Sequence, residues 1–173
     1  MSEEKFVSYD RVIDSVKDSS IQMFLRKISE NSPGNPSPSR FLLKPNYVCI
    51  YWDLEPDFVI QVLVTDWGGF FYLNENMDTQ FKNDKPGDFI FDEISKYYKT
   101  YKRSKWLQNE LGEYSSRVKW SKDWMVMSIG HVSVYPFEKD DVLIVCHIGS
   151  IQLETKVPLN SIAHDLKNFM NTN

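Results

Sequence analysis

The chain has 173 residues, of which 42% are hydrophobic and 25% charged, and its formal net charge is −4. This composition is typical of an ordinary globular protein, and it excludes a disordered tail, a collagen and a membrane protein. The length predicts a single domain over residues 1–173. A chain of this size can bury a substantial core, so we expect the fold to need neither disulfides nor a structural metal.

The sequence predicts a cytoplasmic protein. Its first residues, MSEEKFVSYD, are acidic and lack the apolar segment of a secretion signal. The longest aliphatic stretch, Val142 to Cys146, is far too short to cross a membrane. Cys49 and Cys146 each lie in an apolar run typical of a buried strand, and we expect both thiols to be reduced.

The first third of the chain predicts helical structure followed by strands. Apolar residues recur at helical spacing over 9–30, and Asp18-Ser19-Ser20 is a candidate break. The Pro-rich segment 31–39 predicts a loop within the domain. From Phe41 the period changes to two, which predicts strands at 41–52, 57–65 and 70–74 joined by short turns.

The remaining sequence predicts two more helices around further strands. Pro86-Gly87-Asp88 precedes a helical pattern from about 89 to 111, which Gly112 ends. Strands are then expected at 115–120, 124–129, 131–136, 142–148 and 151–157, with a two-residue hairpin at Gly149-Ser150. Asn160 or Ser161 is expected to cap a final helix.

The order of these elements predicts an α+β fold and not a doubly wound parallel sheet. Short connections between successive strands favour antiparallel pairing. We therefore expect mainly antiparallel sheet of about six to eight strands, with an N-terminal, a central and a C-terminal helix.

No motif in the sequence indicates catalysis, a metal site or a cofactor, so none of these is predicted. Cys146 and His147 are neighbours on a predicted strand and would point to opposite faces of the sheet, so they cannot act together. The three histidines are scattered and show no zinc spacing. Asp53-Leu54-Glu55-Pro56-Asp57 lacks the later Gly and Glu of a calcium loop. An enzyme whose site is assembled from distant residues remains an alternative.

The net charge of −4 hides an uneven distribution along the chain. Residues 53–93 contain ten acidic and two basic residues, a balance of −8. Residues 94–122 contain eight basic and two acidic residues, a balance of +6. Each block has one interpretation as ordinary solvated surface and another as a binding site.

The acidic block predicts a binding surface for a basic protein. Carboxylates and indoles cluster near the ends of the predicted strands, where they would supply charge complementarity and aromatic anchors. The alternative is that the carboxylates only keep the protein soluble. The predicted acidic patch consists of Trp52, Asp53, Glu55, Asp57, Asp66 and Trp67.

The basic block allows a second function, nucleic-acid binding, because cations and aromatic rings alternate in it. On a helix, however, Tyr97 and Tyr101 would fall on the buried face and the cations on a solvated one, and we favour that interpretation. We therefore expect no nucleic-acid or membrane partner. The alternative nucleic-acid site consists of Lys99, Lys102, Arg103, Lys105 and Trp106.

Two stretches resemble, in general character, the bacterial immunity proteins that neutralise polymorphic or contact-dependent toxins. They are FLLKPNYVCIYWDLEPDFVIQVLVTDWGGFFYL and HVSVYPFEKDDVLIVCHIGSIQLETKVPLNSIAHDLKNFM. The resemblance implies tight, stoichiometric binding to a toxin domain, often a basic nuclease, by covering its active site or a neighbouring surface. It assigns no binding residue, since these families use different surfaces. The sequence predicts no oligomeric state.

Overall fold

The fold is α+β, as the sequence predicts. A computed structural model describes residues 5–29, 35–82, 86–136 and 140–172. The described residues contain four α-helices and two antiparallel sheets, one of six strands and one of five. The strands outnumber the expected six to eight. The helices are α1 (Tyr9–Ser15), α2 (Ser19–Ser29), α3 (Pro86–Leu111) and α4 (Leu159–Thr172).

The chain divides into two compact units, Met1–Ser95 and Lys96–Asn173, and the boundary falls within α3. Each unit contains one of the two sheets. The expectation of a single domain concerns whether the units fold together, and it stays a prediction to be tested by unfolding. Of the predicted Pro-rich loop, residues 31–34 lie outside the described part of the chain, and residues 35–39 form no regular element.

The sheet of the first unit is a meander in which every strand pairs with the next one along the chain. Pro45 and Asn46 form a turn that divides the predicted strand 41–52, because proline cannot donate to a sheet ladder. Asn74 and Glu75 both have positive φ angles, 50° and 71°, and form another tight turn. The strands are β1 (Phe6–Val7), β2 (Arg40–Lys44), β3 (Tyr47–Glu55), β4 (Phe58–Thr65), β5 (Gly68–Leu73) and β6 (Asn76–Lys82).

Helices α1 and α2 pack against one face of this sheet. The ring of Tyr9 lies 5.7 Å from that of Phe41, and Phe24 stacks on Phe81 at 6.0 Å. The predicted break between the helices is confirmed, because Asp18 Oδ1 accepts a hydrogen bond from the backbone N–H of Ile21 and begins α2. The largest fully buried side chains of β3, β4 and β5 are Ile50, Trp52, Phe58, Ile60 and Phe71.

The second unit contains a five-stranded antiparallel sheet in the order β11-β10-β9-β8-β7. The predicted strand 115–120 is wrong over most of its length, since Gly112–Arg117 forms a 3-10 helix that begins at a glycine with φ of 55°. The predicted hairpin at Gly149-Ser150 is confirmed. The strands are β7 (Lys119–Trp120), β8 (Met127–Ile129), β9 (Val132–Pro136), β10 (Asp141–Ile148) and β11 (Ile151–Pro158).

The core of the second unit lies between this sheet, α4 and the end of α3. Leu107 and Leu111 of α3 are buried together with Ile162 and Leu166 of α4. The predicted cap at Asn160 or Ser161 is wrong, because α4 already begins at Leu159 and the Ser161 hydroxyl donates to the Pro158 carbonyl instead. The helix begins directly after Pro158, the last residue of β11.

Candidate binding surface

Trp52 does not belong to the exposed surface that the sequence predicts. The side chain is only 1% exposed, and its Nε1 donates a hydrogen bond of 3.1 Å to the carbonyl oxygen of Pro36. Asp53, the next residue, is exposed. Successive side chains of a strand point to opposite faces, so Trp52 packs under the helices while Asp53 lies on the other side of the sheet.

The predicted acidic patch is also divided between the two ends of the sheet. Asp57 lies in the turn before β4, and Asp66 and Trp67 lie in the turn after it. The eight residues of β4 separate these turns by roughly 25 Å at the usual rise of a strand. Consecutive hairpin turns of a meander always fall at opposite ends, so these residues cannot form one patch.

The face of the first sheet opposite the helices carries a row of aromatic and polar side chains that the sequence analysis missed. Tyr51 of β3 pairs with Gln61 of β4, Gln61 with Tyr72 of β5, and Tyr72 with Met77 of β6. All four are exposed or half-buried, and Met77 is 55% exposed. We call this surface the open face; its main members are Phe6, Tyr51, Gln61, Trp67, Phe70, Tyr72 and Met77.

Ring contacts join the aromatic side chains of the open face. The Phe70 ring lies 6.3 Å from that of Tyr72 and 5.6 Å from that of Trp67, the latter edge to face. Trp67 is 61% exposed. Alternation along β3 and β5 could have identified these residues, because Tyr51 lies two positions before Asp53, and Phe70 two before Tyr72.

Arg40 orders one side of the open face. Its guanidinium carbon lies 4.6 Å from the centre of the Phe6 ring and 4.2 Å from that of Tyr51. The same guanidinium binds both carboxylate oxygens of Asp53, at 2.8 and 3.1 Å. Such a fork fixes the carboxylate in one orientation. Asp53 therefore lies on the open face as part of an ordered group of charges and rings.

One end of the open face is acidic. The turn containing Asn74 and Glu75 lies beside the start of β4, since Asn74 N donates to the Val59 carbonyl and Val59 N donates to Asn74 Oδ1. Val59 is only two residues after Asp57, so the two turns are neighbours. The acidic end consists of Asp53, Glu55, Asp57 and Glu75.

Several basic residues of α3 lie over aromatic rings of the same chain. Lys102 Nζ lies 4.8 Å from the centre of the Tyr98 ring, and Lys105 Nζ lies 4.7 Å from that of Trp124. Lys99 is exposed, Arg103 is half-buried, and Trp106 is 39% exposed. Lys99, Lys102, Arg103 and Trp106 follow helical spacing and share a face, whereas Lys105 lies beside it.

The second unit has an apolar cleft of about 540 Å³ near the turns that precede β9 and β11. Its walls include Ile129, Cys146, Ile148 and Phe169, and among the residues that the structure describes there is no carboxylate in them. His131 also lines this cleft. Both cysteines are free, as predicted, but Cys146 is half-buried rather than a core residue.

The described parts of the chain hold no group of three or more metal-ligating side chains. None of the helices in these parts is both long and apolar enough to cross a bilayer. No family model, curated protein or solved structure matches this chain.

Proposed function

We propose that this protein is a non-enzymatic protein-binding module of the cytoplasm, and that the open face binds a basic partner protein. The observation that carries the proposal is the set of accessible aromatic side chains on the side of the sheet that the helices do not cover. Tyr51, Phe70 and Tyr72 are half-buried there, and Trp67 is mostly exposed.

On this face Leu42 and Cys49 are buried, whereas the aromatic side chains of the row stay at least partly accessible. The opposite face already packs against α1 and α2, and an antiparallel sheet commonly carries polar residues on its solvent side. Large rings kept accessible in a row are typical of interaction surfaces, because they offer wide contact area with little loss of side-chain freedom.

The charge of this region favours a basic partner. Residues 53–82 contain six carboxylates and one lysine, which gives a balance of −5. Four of the six carboxylates, at Asp53, Glu55, Asp57 and Glu75, form the acidic end beside the aromatic row, and the Asp53 carboxylate is paired with Arg40. Opposite charge on the partner would speed encounter and set the orientation of docking, while the rings would supply most of the affinity.

In its most specific form the proposal is that the protein is a bacterial immunity protein that neutralises a cognate toxin domain. The general resemblance of the strand and helix pattern to such proteins supports this, as does the acidic surface, which suits a basic nuclease. In this role the open face would cover the toxin's active site or an adjacent surface in a one-to-one complex.

Co-purification from the native host, with the partner identified by mass spectrometry, is the first test. The purified partner is then titrated against three variants by calorimetry. Asp57→Lys with Glu75→Lys should weaken binding at least about tenfold, and Tyr51→Ser with Tyr72→Ser by about a hundredfold, as for truncated aromatic anchors. Asp66→Lys, an equal change per residue at the other end of the sheet, should have a much smaller effect.

Binding that is indifferent to both double variants would overturn the open-face proposal. The immunity role has a separate readout. The neighbouring reading frame should encode a secreted protein with a toxin-like C-terminal domain, and co-expression with that domain should restore growth only when the open face is intact. A partner that binds the open face but is not toxic would support the protein-binding function and contradict the immunity role.

A further inference from the structure

Strand β11 is an edge strand of the second unit, and no strand in the described part of the chain pairs with its outer side. Seven of its eight residues are exposed, and only Val157 is half-buried. Ile151 and Leu153 are 58% and 54% exposed, and the adjacent Ile148 is 59% exposed. Exposed apolar side chains on an edge strand are a template for pairing with another chain.

Two backbone hydrogen bonds establish which residues of β11 present free groups to this edge. Leu159 N donates to the Asp140 carbonyl, so the odd-numbered residues of β11 bond to β10. His147 N donates to the His131 carbonyl, so the odd-numbered residues of β10 bond to β9 and its even-numbered residues bond to β11. The residues whose backbone groups face outward are therefore Gln152, Glu154, Lys156 and Pro158.

Pro158 fits this assignment. Its backbone nitrogen faces away from β10, so pairing with β10 requires no N–H there. The apolar side chains of Ile151, Leu153 and Val157 are odd-numbered and lie on the same face as α4, next to the apolar cleft. Glu154 and Lys156 lie on the other face.

We propose that this protein forms a two-fold homodimer in which β11 pairs antiparallel with β11 of a second copy, with Thr155 on the symmetry axis. In this register Glu154 lies opposite the partner's Lys156, and Lys156 opposite the partner's Glu154. Each pair would be of the hydrogen-bonded kind, with about 5.5 Å between Cα atoms. The Gln152 N–H would bond to the partner's Pro158 carbonyl.

The charge pattern selects a second copy as the occupant. Two neighbouring registers would place Glu154 or Lys156 on the symmetry axis. Each sets that residue opposite the same residue of the partner, and such like charges are unfavourable. The Thr155 register alone among these three pairs opposite charges. It also puts Leu153 beside the partner's Val157 and Ile151 beside the partner's Leu159, so the apolar faces of the two sheets become continuous.

The test measures the mass of the full chain in solution by sedimentation over a wide range of concentration, with charge variants at two exposed positions. The unmodified protein should reach twice the mass of one chain. Glu154→Lys and Lys156→Glu should each raise the dimer dissociation constant at least about tenfold, because like charges then face each other. The double variant with both changes should dimerise again.

Mixing the two single variants provides a matched control. Each variant carries two like charges on β11, so two copies of the same variant repel each other. The two variants carry opposite charges and should form a heterodimer when mixed. Hydrogen exchange adds a readout at the contact: the amides of Gln152, Glu154 and Lys156 should gain protection as the dimer forms.

A wild-type protein that stays monomeric at every concentration would overturn the proposal. A dimer that is unaffected by the single variants, or that the double variant does not restore, would also overturn it, because the contact would then lie elsewhere. The outcome is independent of the open face, since Tyr51→Ser with Tyr72→Ser leaves β11 unchanged.

Discussion

Arg40 and Asp53 form a bidentate ion pair across β2 and β3, with Nε–Oδ2 and Nη2–Oδ1 distances of 2.8 and 3.1 Å. Both side chains are about one third exposed, at 35% and 36%. The guanidinium also lies against the rings of Phe6 and Tyr51. The pair is therefore one part of a larger stack, and its two members should differ in their effect on stability.

We expect Asp53→Asn to lower the free energy of unfolding by less than about 1 kcal/mol, because exposed ion pairs contribute little. Arg40→Ala should cost about 1–2 kcal/mol, since it also removes the contacts with two rings. Urea unfolding measures both. Equal losses for the two variants, or an Asp53→Asn effect that persists at high salt, would contradict this account.

Trp52 and Trp67 should respond in opposite ways to truncation. Trp52→Ala removes a fully buried side chain and its hydrogen bond to Pro36, and should cost about 3–5 kcal/mol. Trp67→Ala should cost about 1 kcal/mol or less, because the indole is mostly exposed and contacts chiefly Phe70.

Thermal unfolding followed by circular dichroism would measure the difference, and Trp52→Phe serves as a variant that keeps most of the packing. If Trp67→Ala proved as destabilising as Trp52→Ala, the rings of the open face would be structural, and the argument for their role in binding would fail.

The two units should unfold in one transition. Helix α3 crosses the boundary between them and contributes Ile90 and Ile94 to the buried set of the first unit and Leu107 and Leu111 to that of the second. Unfolding of either core removes the packing of the same helix, so the unfolding of the two units should be coupled.

Tryptophan replacements make this measurable, because the first unit contains Trp52 and Trp67 and the second contains Trp106, Trp120 and Trp124. Fluorescence from a variant that keeps tryptophan only in one unit should change at the same urea concentration as the far-ultraviolet signal. Two separated midpoints would show two domains and refute the single-domain prediction.

We expect no appreciable binding of single-stranded oligonucleotides at low salt. Lys102 and Lys105 already lie over aromatic rings of the chain, so the basic face of α3 is partly engaged. A gel-shift titration tests this. A measurable affinity that falls steeply with salt and disappears in a Lys99→Gln, Lys102→Gln, Arg103→Gln variant would instead support the nucleic-acid alternative.

The fold class could be predicted because hydrophobic periodicity reports which face of an element is buried. The same signal failed for β6, whose sequence NMDTQFK is mostly polar and carries one buried side chain, Phe81. That strand is positioned by the turn at Asn74 and Glu75 and by pairing with β5, and neither is a property of its own residues.

The binding surface was harder to predict than the fold. Nearness in sequence predicts nearness in space for the carboxylates, but Asp57 and Asp66 lie at opposite ends of β4. Conversely, Tyr51 and Tyr72 are 21 positions apart and are brought onto one row by two strand pairings through Gln61. The register between strands determines which side chains become neighbours on the surface, and a single sequence does not specify that register.

The alternation at Trp52 and Asp53 separates two kinds of selective constraint along one strand. Under the proposed function, substitutions at Trp52 would be constrained by packing, whereas those at Tyr51 and Asp53 would be constrained by partner binding. The most exposed side chains of the open face, such as Trp67 and Met77, could then be exchanged for a new partner while the buried positions stay unchanged. The same property makes this sheet a scaffold on which new specificities could be selected from libraries that vary alternate residues.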